Sequence, residues 1–190
     1  GTTGSNRMLV VGISYRNNDS ELVSTVTYGG QAMTQVGTRN NGTNGRMYIY
    51  RLLNPPTDSN NLVVTWSSAL NNGAVIGAVT YSGVNQTTPT GAFASATGNS
   101  TTPTVAAVTS ASGELVFGVV DGRTTSDYAV TGGGTPLWSA RPYSGQTSGS
   151  GQSKTGAASV ALSWSGSSAQ WVAGGMSLKP APVSGSTTVT

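Results

Sequence analysis

The segment LVVTWSSALNNGAVIGAVTYSG, residues 62–83, returns in altered form as SVALSWSGSSAQWVAGGMSLKP, residues 159–180. Trp164 answers Trp66, and Gly174, Met176, Ser177 and Leu178 answer Gly77, Val79, Thr80 and Tyr81. Two more stretches echo each other. LVVGIS, 9–14, resembles LVFGVV, 115–120, and YGGQAMTQV, 28–36, resembles GGGTPLWSA, 132–140. A spacing of roughly 100 residues is too long for a solenoid, whose units run to about 20–50. It fits a fold with two similar halves, about 7–84 and 113–180, joined by 85–112.

Helix signals are almost absent. Runs rich in β-branched and aromatic residues alternate with clusters of Gly, Asn, Ser and Pro. These predict strands near 7–15, 21–28, 31–36, 46–53, 61–67 and 74–82. More are predicted near 91–97, 104–109, 113–120, 135–140, 155–164 and 169–179. NNGTNG, NPPTDSNN and SGQTSGSGQS read as turns and loops. A sheet with one apolar face needs a second layer to cover it. The expected fold is therefore all-β: a two-sheet, jelly-roll-like β-sandwich with an internal pseudo-repeat, its two halves covering one another. The expected organisation is an arm over 1–6, the sandwich over 7–180 and a Pro-led tail over 181–190. The chain opens at Gly1 without a charged segment followed by an apolar one, and reads as processed or excised.

Composition narrows the chemistry. Charged residues are 8% of the chain, against a typical value of about 25%. Hydroxyls and amides must therefore solvate the surface. Nine Lys and Arg against six Asp and Glu give a net charge of +3. The cations are scattered along the chain instead of forming a stripe, so no nucleic-acid partner is expected. No apolar run is long enough to cross a bilayer as a helix.

There is no histidine and no cysteine, which removes the commonest general base, zinc sites and thiol nucleophiles. Asp19 with Glu21, or Asp121 with Asp127, are the acid pairs a glycosidase reading would use. They are expected to be solubilising loop acids in no common cleft. NNDSE, 17–21, offers oxygens to a hard cation but lacks the spacing of a calcium loop. The reading is no enzyme, no metal and no cofactor. Trp138 and Tyr143, in PLWSARPYSG, are candidates for stacking on a glycan. Asn18, Asn41, Asn85 and Asn99 head N-x-[ST] triplets and are candidate glycosylation acceptors. A Lys179–Asn6 crosslink assisted by Glu114 is a further candidate.

Read in order, NRMLVVGISYRNND, VTYGGQAMTQVG, YRLLNPPT, YSGVNQTTPTG, GNSTTPTV, SGELVFGVV and GAASVALSWSGSSAQWVAGGMSLKP resemble a family of secreted bacterial β-sandwich modules. Such modules occur in large extracellular and surface proteins. The resemblance spans about 5–180. It implies an extracellular jelly-roll-like module and brings no catalytic residues to carry over.

The expected function is a structural subunit of an extracellular filament or surface polymer, assembled from copies of itself. The tail is the expected donor strand, through Val183, Ser184, Thr187, Thr188, Val189 and Thr190. It is β-branched yet follows the stop KPAP. The alternatives are a non-catalytic module that binds polysaccharide or a cell surface, and a phage or virion surface protein.

Overall fold

The computed structural model describes residues 4–16 and 21–182. Fifteen strands and one short 3-10 turn, Gly42–Asn44, make up the described structure. In chain order the strands are β1 Met8–Tyr15, β2 Val23–Tyr28, β3 Gln31–Ala32, β4 Thr34–Asn40 and β5 Arg46–Leu53. β6 Leu62–Trp66, β7 Ala74–Tyr81, β8 Ala94–Ser100, β9 Thr104–Thr109 and β10 Leu115–Gly122 follow. β11 Ala129–Thr131, β12 Thr135–Tyr143, β13 Thr147–Thr155, β14 Ser159–Ser165 and β15 Ala169–Leu178 complete the set. All pairings between strands are antiparallel.

The all-β class is as expected, but the number of sheets is not. In place of two, the described residues form four. The first inner sheet runs β4-β5-β1-β7 and the second runs β12-β13-β10-β15-β8. Each has an outer sheet over it: β3-β2-β6 on the first, β11-β14-β9 on the second. The reason lies in the central strands. MLVVGISY in β1 is buried at every position, so both its faces need cover. Leu9, Val11, Ile13 and Tyr15 pack with Val26 of the first outer sheet. Met8 and Val10 turn the other way and meet Phe117, Val119 and Met176 of the second inner sheet. β10 divides likewise, sending Val116 and Val120 to Leu162 and Trp164 of the second outer sheet. Three hydrophobic layers therefore separate four sheets.

Trp66 and Trp164 each stand directly across from a valine, Val23 and Val130 respectively. Trp164 is fully buried, whereas Trp66 is half-buried, with its ring edge-on to Tyr15 at 4.7 Å.

SGQTSGSGQS, expected as a loop, is largely strand β13, and residues 147–153 are all buried. Small size explains it. Gly149 lies against Ser14 and Val75, and Gly151 lies under the ring of Trp138. Gly12 and Gly77 line the same ring from the first inner sheet. Gly12, Gly77 and Gly151 thus make a slot for one indole between the inner sheets, and Phe117 closes it at 5.8 Å between ring centroids. Any side chain at these positions would occupy the ring's space. Gly77→Ala should therefore cost about 1–3 kcal/mol by overpacking, seen as a fall of several degrees in melting temperature. Trp138→Phe in the same chain should recover part of the loss.

Candidate functional site

The acids are placed differently from expectation. Asp121 is fully buried and Glu21 is 3% exposed, so neither is a loop acid in solvent. Asp121 sits on strand β10, buried from Val116 onward, and its carboxyl lies against Gly45. The phenol oxygen of Tyr15 donates to the carbonyl of Glu21 at 2.6 Å. Asp127 is exposed and pairs with Arg141 at 3.1 Å. Glu114 accepts from the Ala111 amide at 3.2 Å. Among the described residues no group of three acidic side chains could hold a metal ion. Asp19, with most of NNDSE, lies outside the described residues. No ion pair joins Lys179 to Glu114 among the described residues.

Asp121 is the most perturbed acid. Neither carboxyl oxygen has a well-formed hydrogen bond. Burial pushes its pKa well above the ordinary carboxylate value, and the approach of the Arg46 and Gly122 amides only partly offsets this. The phenol of Tyr128 is also pushed up, first by burial and then by the nearby Asp121.

The candidate binding residues divide. The Trp138 ring fills the glycine slot in the core. Tyr143, at the end of β12, is 56% exposed. The Asn41 amide donates to the carbonyls of Gly98 and Trp171 at 3.3 and 3.1 Å, which ties down the nitrogen a glycan would occupy. Asn85 accepts from the amides of Thr87 and Thr88 at 2.9 Å in a side-chain-stabilised turn. Asn99 is exposed on β8, and Asn18 lies outside the described residues. So do all six candidate donor-strand residues, 183–190 being undescribed.

The feature that composition could not place is a pair of open edges. In the second half, β15 carries β8 along its outer edge, and β14 carries β9. In the first half, among the described residues, β7 pairs only with β1 and β6 only with β2. β7 has none of the usual protections of an edge strand. AVIGAVTY contains no charge and no proline, and its register with β1 is unbroken. By contrast, the edge strands β4 and β12 are bulged between Gln35 and Gly37 and between Pro136 and Trp138. Met8 of β1 faces Tyr81 of β7 as Leu115 of β10 faces Leu178 of β15. Counted back from those pairs, Ile76 occupies the position of Ala173. Ile76 is 43% exposed and Ala173 is 0% exposed, packed beside β9 valines Val105 and Val108.

No family model, no curated protein and no solved structure matches the chain.

The buried acid gives a pH prediction. A folded-state pKa above the unfolded value means that the folded state holds more protons between the two. Stability must then fall as pH rises from about 4 upward. Asp121→Asn removes the cost of charging and should raise the urea midpoint at pH 7.5 more than at pH 4.5. An equal change at both values would remove Asp121 as the titrating group.

Proposed function

We propose that this chain is a non-catalytic structural subunit that forms an extracellular filament or surface polymer by adding strands between copies. The observation that carries this reading is the flank of the first half that is open among the described residues: an uncharged eight-residue edge strand with Ile76 exposed on it. A chain with few charges offers little repulsion to an approaching copy. Addition of a strand to a sheet edge supplies affinity through backbone hydrogen bonds. A head-to-tail contact of this kind does not close on itself and extends into a fibre. The non-catalytic part rests on the acids, since Asp121 is sealed in the core and Asp127 is held by Arg141.

The reading includes an internal duplication within a jelly-roll-like sandwich. Its support is the shared strand order, β4-β5-β1-β7 against β12-β13-β10-β15, and the edge bulges at Val36 and Leu137. On this reading the two halves differ by the β8–β9 pair, which flanks one of them. The resemblance to secreted surface modules supports the extracellular setting. A carbohydrate-binding role has Tyr143 as its one exposed aromatic among those two candidates.

Light scattering and negative-stain electron microscopy of the purified chain test the proposal. Concentration-dependent polymers are expected. Ile76→Lys should shift the population to monomer by at least tenfold at unchanged melting temperature. A wild-type chain that stays monomeric at high concentration would overturn the reading.

A further inference from the structure

We infer that the turn over residues 41–45 is a pH-sensitive lid: it covers the Asp121 carboxyl at the seam between the two inner sheets and opens locally when that carboxyl ionises. This does not depend on the polymer reading.

The lid and the acid come from opposite halves. The turn joins β4 to β5, and Asp121 lies on β10. Gly45 sits directly against the carboxyl, where any side chain would occupy the same space. The amide of Arg46, the next residue, approaches the carboxyl from the first half, and the Gly122 amide approaches it from the second. Asp121 is fully buried, and neither of its oxygens has a well-formed hydrogen bond.

No cation stands ready to neutralise it. The ion pair among the described residues joins Arg141 to Asp127. The Arg46 guanidinium lies over the Tyr48 ring, 6.0 Å from its centroid, and that ring belongs to the core under the first outer sheet. The Arg123 guanidinium donates to the Asn44 side-chain oxygen at 3.1 Å. The phenols of Tyr15 and Tyr128 pack in the layers beyond the two inner sheets. Burial pushes both phenols up, so they stay neutral. A carboxylate formed here would therefore be a buried charge without a partner, which is costly.

The lid is held lightly. Asn41, Gly42, Thr43, Asn44 and Gly45 bring no apolar side chain to the seam, and Gly42 and Thr43 are exposed. The turn grips the second half through the Asn41 amide on Gly98 and Trp171 and through the bond between Arg123 and Asn44. Hydrogen bonds of this kind are exchanged for water at small net cost. Unfolding either inner sheet would instead expose an apolar core. Admitting water past Gly45 is thus the cheaper way to relieve the charge. Gly45 leads straight into β5, so lifting it breaks the 2.9 Å bond from the Asn41 amide to its carbonyl. In the open state the carboxyl meets water and titrates as an ordinary acid. The closed state holds the proton to higher pH, so rising pH favours the open state.

Hydrogen exchange of the whole chain, followed by NMR at about pH 5 and about pH 8 and corrected for the intrinsic rate at each, reads the opening. The Asn41 and Arg46 amides should lose protection by at least about tenfold between those values, and the Val10 and Val119 amides of the central strands clearly less. Asp121→Asn keeps the shape without the charge and should make the lid's protection independent of pH. Gly45→Ala puts a methyl group in the carboxyl's space and should leave the lid open at both values. A wild-type lid whose protection ignores pH would overturn the inference. So would the same pH dependence in Asp121→Asn. An equal loss at Val10 and Val119 would overturn it as well, because the charge would then be met by global unfolding. If Asp121→Asn does not fold, Gly45→Ala decides: a lid that still closes at about pH 5 in that variant would overturn the inference.

Discussion

β1 has no face left for water. Every one of its eight residues is buried, and the same holds for β10 from Val116 onward. This constraint organises the rest of the molecule. A strand apolar on both faces must lie inside a stack, so each inner sheet needs an outer one on one side and its counterpart on the other. Three cores then follow: around Tyr15 and Tyr48, around Phe117 and Met176, and around Leu162 and Trp164.

The middle core is the tightest. Glycines at 12, 77 and 151 press on Trp138, and those at 37 and 174 press on Phe93. The two rings fill the two ends of the seam between the inner sheets. Each ring needs neighbours without side chains, so part of the glycine content that reads as turn signal is packing. Interiors are dense enough that one added methyl is felt. The same seam buries Asp121 completely, with only the Arg46 and Gly122 amides approaching its carboxyl, a cost carried in the centre of a sheet.

The open flank is the complement of that packing. The second half spends β8 and β9 on its outer edges, where Ala173 is fully covered. Ile76, on the edge strand β7, is 43% exposed among the described residues. An uncharged edge with apolar surface beside it invites pairing with another chain.

Sequence alone determined that the chain is all-β. β-branched runs punctuated by Gly, Asn and Pro admit little else, and most strands lie near their expected positions. The echo between 62–83 and 159–180 is a feature of the sequence itself, with identity at Trp66 and Trp164 and at Gly77 and Gly174. The continuous run MLVVGI also held the sign of a strand buried on both faces. Other features needed the third dimension. TSGSGQS looks polar and loose, yet it is buried because Trp138, a distant residue, needs glycine beneath it. Asp121 looks like a loop acid, yet strand pairing on both sides draws it inside. That β7 has a single strand neighbour among the described residues has no local signature at all. Whether a strand has one neighbour or two depends on which segments fold against it, and only the tertiary structure decides that.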